Sequence, residues 1–242
     1  MNANAVLARL KSLGTERRKR HAALLGIPTE RAFGVSIGDL RRLAKSLGTR
    51  HELALALWRS GIHDARLLAV LIADAERMTD AAIERWLADV RSWDLCDHIC
   101  ADLVRDRPNA DRLVRTWAKD ERLYFRRAAF ATIAGLAVHR PDLPAAAIER
   151  YLDLIRAGAG DERDHVKKGV SWALREIGKM NFAAHDLAVA LTADLVESGD
   201  KSARWVGRDA MRELETLVAV PERRRLLSSK SKMGKKTARR LA

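Results

Sequence analysis

The 242-residue chain has only two cysteines, Cys96 and Cys100. They cannot build a disulfide framework, and a reducing compartment is the default reading. With His98 between them they do not form a zinc spacing, so no metal and no cofactor is expected. No phosphate-binding loop and no glycine-rich dinucleotide fingerprint occurs, which argues against the nucleotide-binding enzymes that those motifs define. No apolar stretch approaches the ~20 residues that cross a bilayer. The first residues lack the charged start and apolar run of a secretory leader. The expectation is a soluble cytoplasmic protein with no membrane partner. Strand alternation of period two is missing as well. Aromatics make up 5% of the chain, and six of them are Trp, so each Trp has to be placed.

What is present is helix. Hydrophobic residues account for 48% of the sequence, enough to bury a core. Nearly every segment carries the 3.6-residue period, and no proline falls inside a predicted helix. Helices are expected at about 3–13, 16–25, 37–47, 50–59, 63–77, 79–91, 93–107, 110–119, 121–139, 144–156, 163–179, 183–198 and 202–218. Comparable helices begin near His63, Trp93, Glu121, Arg163 and Ser202. Paired helices repeating at roughly thirty to forty residues fit an α-solenoid of the HEAT or armadillo kind. The expected fold is therefore all-α, a solenoid of HEAT-like antiparallel helix pairs with a concave basic face.

The formal net charge is +13, which favours a polyanionic partner. Residues 222–242 hold nine Lys or Arg against one Glu, leaving +5 for the rest of the chain. The expected organisation is a HEAT-like repeat domain over 1–221 and a basic, flexible tail over 222–242. Within the repeats, Asp64-Ala65-Arg66, Phe125-Arg126-Arg127, Val166-Lys167-Lys168 and Ala203-Arg204-Trp205 with Arg208 each set a cation beside small residues early in a helix. Arg66, Arg126, Lys167, Lys168, Arg204 and Arg208 are the candidates for a phosphate track, against the plainer reading of solvated helix faces. The partner expected is double-stranded DNA, bound by a monomer.

One stretch stands apart, Ser92-Trp93-Asp94-Leu95-Cys96-Asp97-His98-Ile99. Ser92 is placed to cap a helix, with Asp94 in its first turn. Trp93 and Asp97, four apart, share a face. A Trp and a carboxylate so placed make either a packed corner or a small chemical site. Trp58, Trp86 and Trp117 lack such company and are read as packing residues; Trp205 is left open between a DNA contact and the end of the last repeat.

Four segments in order resemble the AlkD-like DNA alkylation repair glycosylases, which are built of HEAT-like repeats. Phe33-Gly34-Val35 with Asp39-Leu40-Arg41-Arg42-Leu43 resembles the family's early aromatic-Gly-Val and Leu-Arg motif. Ser92-Trp93-Asp94-Leu95-Cys96-Asp97 resembles its Trp-Asp-x-x-Asp segment. Leu123-Tyr124-Phe125-Arg126-Arg127 resembles its Arg-Arg segment, and Gly169-Val170-Ser171-Trp172-Ala173-Leu174-Arg175-Glu176 its Trp-x-Leu-Arg-Glu segment. The resemblance implies a metal-free DNA-alkylpurine N-glycosylase, a hydrolase of base excision repair that removes N3- or N7-alkylated purines. By the same resemblance Trp93 and Trp172 are the aromatic walls of a cleft, Asp97 its carboxylate, and Arg127, or its neighbour Arg126, its cation.

The chemistry asks for little more. A purine alkylated at N3 or N7 is cationic and already a good leaving group. Breaking its glycosidic bond leaves an oxocarbenium-like sugar, which a carboxylate stabilises while orienting water. The competing expectations are a non-catalytic HEAT-like protein that binds damaged or branched DNA, and a protein–protein scaffold.

Overall fold

The helices start where short polar side chains can close them. Asn2, Thr15, Ser36, Thr79, Asn181 and Asp200 each accept a bond from the backbone N–H three residues on. These caps satisfy amides that the first turn leaves without partners. The computed structural model describes residues 2–220 and 223–241. Among them the chain forms helices almost throughout, in two units that part between Arg107 and Pro108. The boundary expected between Pro221 and Glu222 lies outside the described residues.

The first unit comprises α1 (Ala3–Leu13), α2 (Glu16–Leu24), α3 (Ile37–Leu47), α4 (His51–Arg59), α5 (His63–Ile72), α6 (Asp80–Ala88) and α7 (Trp93–Ile99). The last continues into a π-helical turn at Cys100–Val104. Helix α5 is its axis, packed against α1, α3, α4, α7 and the π-turn. It buries Ala65, Leu67, Leu68, Ala69, Val70 and Ile72. Each large one among these is worth about 1.5–3 kcal/mol of burial. Its one buried charged residue is Asp64. Trp58 and Trp86 stack with centroids 4.1 Å apart and planes 4° from parallel, as packing residues.

The second unit holds α8 (Ala110–Trp117), α9 (Leu123–His139), α10 (Ala145–Gly158), α11 (Asp164–Gly178), α12 (Phe182–Val196) and α13 (Lys201–Leu214). Its core runs through α9–α13, with α11 packed against each of the other four. Glycine lets these helices close up. A Cβ at Gly207 of α13 would lie 2.8 Å from the backbone nitrogen of Val196 in α12.

Two features differ from the expectations. Residues 93–107 do not form one α-helix, because the turn at Cys100–Val104 widens. The basic tail has structure of its own. Strand β1 (Leu217–Ala219) pairs antiparallel with β2 (Leu226–Ser228), and α14 (Lys232–Leu241) follows. The hairpin is tied to α11 by Leu226 N–H donating to the Lys179 carbonyl at 2.9 Å. Arg225 also donates to the Glu176 carboxylate at 2.7 Å. This ion pair and the backbone bond beside it anchor the hairpin to the end of α11.

Candidate active site

The loop 33–36 and the start of α7 meet at one cavity in the first unit. It measures about 460 Å³ and is lined by α2, the loop, α3, α5 and α7. Gly34 explains the glycine of the first motif. Its φ is +78°, and a Cβ there would lie 2.5 Å from the Thr15 carbonyl. Only glycine takes this conformation freely. Asp64, 2% exposed, holds the loop from beneath. Its carboxylate accepts from the N–H of Phe33 at 2.6 Å and of Val35 at 2.7 Å.

Trp93 and Asp97 both line this cavity and are half-buried. The Trp93 indole N–H donates to the Leu25 carbonyl at 3.0 Å, fixing the ring against the end of α2. Asp94 has a different task. Its carboxylate meets His63 Nε2 at 2.9 Å, joining α7 to α5. Burial pushes the Asp94 carboxyl up; the His63 bond and charge, with Ser92 and the Leu95 N–H, outweigh it and hold the group below its usual range. Ser92 does stand at the N-cap of α7, yet its hydroxyl makes no capping bond and is buried. That expectation is corrected. His98 bonds Asp102 at 3.2 Å, one turn along, instead of closing on the cysteines. Cys96 and Cys100 are both buried free thiols. Cations border the cavity at Arg18, Lys19 and Arg41.

Arg127 and Trp172 belong to the second unit, so the four expected cleft residues come two from each. Arg127 is 6% exposed, and its guanidinium donates to the His165 carbonyl at 2.6 Å. The His165 imidazole has its pKa lowered by burial first, then by the nearby charges of Arg127 and Lys168. Tyr124 stacks against it with centroids 6.2 Å apart. Sequence reasoning passed over His165 and His63, neither of which has a local signal beyond its helix-start position. Trp172 is half-buried and packs against the core of its unit.

The six phosphate candidates separate. Arg66 borders a further cavity of the first unit, about 710 Å³, beside Arg31 and Arg91. It is drawn inward, with its guanidinium on the Trp58 and Asp89 carbonyls at 3.3 and 3.1 Å and 4.9 Å from the Trp58 ring centroid. Arg126 lies 3.4 Å from Asp161. Lys168 is exposed and 3.8 Å from Asp164. Lys167, Arg204 and Arg208 come together at one cavity of the second unit. Among the described residues no group of three His, Cys, Asp or Glu is placed to hold a metal ion, and no helix is long and apolar enough to cross a membrane.

The helices packed within each unit make an all-α protein of the HEAT-like repeat fold. A family model described as DNA alkylation repair enzyme matches residues 6–214, and the chain belongs to that family. A solved structure is similar over 99% of this chain and 95% of its own, with a TM-score of 0.74 and 20% identity. It is described as a new family of proteins related to the HEAT-like repeat DNA glycosylases with affinity for branched DNA structures. Two curated relatives are the uncharacterized proteins Lmo0209 of Listeria monocytogenes and Lin0241 of Listeria innocua, each 29% identical over 92 residues. The match covers 37% of this chain and 41% of each of theirs, so it spans less than half the length of these relatives.

Proposed function

We propose that this protein is a DNA glycosylase that excises cationic N3- or N7-alkylated purines by hydrolysing the N-glycosidic bond. The observation that carries the reading is Asp97 on the wall of the 460 Å³ cavity, one helical turn from an indole fixed by its own hydrogen bond. Asp97 is the carboxylate that stabilises the oxocarbenium-like sugar and orients the attacking water. Trp93 supplies an electron-rich face to the cationic lesion or its sugar. Trp172, in the second unit, is the second aromatic that the family resemblance implies. Arg127 acts through the segment at His165 that it holds, with Arg126 as the cation nearer solvent. Arg66, Lys167, Lys168, Arg204 and Arg208 contact phosphates of the DNA, which is double-stranded around the lesion. The protein acts as a monomer in the cytoplasm and needs no metal or cofactor.

A single-turnover assay on a duplex bearing one N7-methylguanine tests this. Wild type releases the base, and Asp97→Asn loses release by about 10²-fold or more while retaining DNA affinity, as when a key electrostatic group is removed from a site. Equal release by both would remove Asp97 from the mechanism.

A second reading, DNA binding without excision, is favoured by the burial of Arg127. Its guanidinium is spent on a backbone carbonyl, not offered to a phosphate. The solved relative described by its affinity for branched DNA is in keeping with that reading. No release of any alkylpurine by wild type, together with tight DNA binding, would establish it over the first.

A further inference from the structure

The second unit carries a basic recess that the excision chemistry does not use. Its volume is about 670 Å³, and it is lined by Lys167 of α11 and by Lys201, Arg204, Trp205, Arg208 and Arg212 of α13. The α13 positions recur at three- and four-residue steps, so they form one stripe along the helix. Successive turns set its cations ~5.4 Å apart along the axis, close to the separation of neighbouring phosphates on one strand.

The recess is short of negative charge. Glu162 is the one acid among its lining residues, against five cations. Lys167 is held 3.0 Å from Asp164, and Arg212 lies 3.5 Å from Asp209. Arg204 is fixed by the Ser198 carbonyl at 2.7 Å, a bond that leaves its charge uncompensated. Lys201 and Arg208 have no carboxylate partner among the described residues and are exposed. Like charges gathered around a recess repel one another, and a bound anion relieves that repulsion.

The aromatic in the wall narrows the ligand further. Trp205 is half-buried against the core, with the Lys167 ammonium 5.1 Å from its ring centroid. A duplex presents a convex rod of phosphates and keeps its bases inside, so it neither fills a recess nor reaches an indole in its wall. An unpaired strand does both. Cations tracking a backbone beside an aromatic platform are the usual means of holding single strands. A base stacked on the indole takes the place that the lysine ammonium holds over it.

We propose that the α13 recess binds an unpaired DNA strand, its phosphates on Lys201, Arg204, Arg208 and Arg212 and one base on Trp205. The inference rests on nucleic acid being the partner but not on base excision. The site lies wholly within the second unit, apart from the cavity of Asp97.

The test is fluorescence anisotropy of the full chain with a fluorescein-labelled oligothymidine of twelve nucleotides and with a blunt duplex. The variants are Lys201→Ala/Arg212→Ala and Trp205→Phe, with Trp205→Ala alongside them. Circular dichroism melting confirms that each is folded, and the conservative Phe keeps the packing if Ala does not. The double variant is expected to weaken single-strand binding at least fivefold and to lower its salt slope by about 1.4, at ~0.7 for each phosphate no longer neutralised. Its effect on the blunt duplex should be less than half as large. Trp205→Ala should weaken the single strand about tenfold, at 1–3 kcal/mol per stacked base, and Trp205→Phe should restore most of that. Equal losses on single strand and duplex, or undiminished single-strand binding by the double variant, would overturn the proposal. Failure of wild type to release a base would overturn the excision reading alone, because binding is read here without chemistry.

Discussion

Removing the Asp64 carboxylate should loosen the whole loop over the candidate site. The group is 2% exposed and accepts two backbone N–H bonds, at 2.6 Å from Phe33 and 2.7 Å from Val35. Hydrogen bonds to a charged group contribute about 1.5–3 kcal/mol each. Asp64→Ala deletes both and strands two half-buried amides. Water reaching the half-buried loop recovers some of the loss, so the expected destabilisation is about 3 kcal/mol. At an m-value of ~2 kcal/mol per M this moves the urea midpoint of the transition by about 1.5 M. Asp64→Asn keeps the shape but offers one acceptor oxygen, and its NH₂ faces the second amide donor to donor, so a loss of about 2 kcal/mol is expected. Hydrogen exchange localises the effect: the amides of Phe33 and Val35 lose protection, while those of α11 in the other unit do not. A midpoint shift below about 0.3 M for Asp64→Ala, at the same m-value, would refute the claim that this carboxylate holds the loop.

Two further outcomes follow from packing and charge. The Asp94 carboxyl sits below its ordinary value of 3.8 in the folded protein, because its bonds and the His63 charge outweigh burial. The stability it adds is therefore present above that value and lost as pH falls through the folded one. Asp94→Asn should be less stable than wild type at pH 7, with the gap closing below about pH 3.8; urea midpoints at both ends check this, and a gap independent of pH would count against it. In the second unit, a Cβ at Gly158 would lie 2.3 Å from the Phe130 ring, which is fully buried. Gly158→Ala should cost about 1–3 kcal/mol by overpacking, and Phe130→Leu in the same chain should recover part of it; thermal melts of the three variants measure the recovery.

Helix positions were legible because they depend on local chemistry. Ser36 and Thr15 announce the starts of α3 and α2, and the helices α9–α13 begin and end within a few residues of where periodicity and Pro or Gly breaks put them. The aromatic-Gly-Val motif and the Trp-Asp segment were legible as motifs, but not as neighbours. Their meeting at one cavity depends on α5, which carries Asp64 to the loop and His63 to Asp94. Side-chain direction was the part that local sequence does not encode. Arg126 and Arg127 are adjacent and chemically alike; one reaches Asp161 and the other is buried on the His165 carbonyl. Only the packing of α11 against α9 decides between them. The hairpin escaped for a related reason. Its strands are three residues each, too short to alternate visibly, and they are fixed by Arg225 on a glutamate 49 residues away.

The carboxylates of the first-unit cavity bear on what that cavity admits. Asp64, Asp94 and Asp97 all line it, in a chain whose net charge is +13. Asp64 holds a loop and Asp94 holds a helix. A carboxylate on a cavity facing a polyanion works against binding unless something positive develops opposite it. For a cavity that only grips DNA, Asp97→Asn would remove a repulsion and tighten binding, with nothing lost. For one that excises alkylpurines, the same change tightens or preserves binding and abolishes release, because the carboxylate is matched to the charge of the transition state and not to the phosphates of the ground state. The two measurements on one variant therefore separate the readings: affinity and excision move apart if Asp97 does chemistry, and there is no excision to lose if it does not.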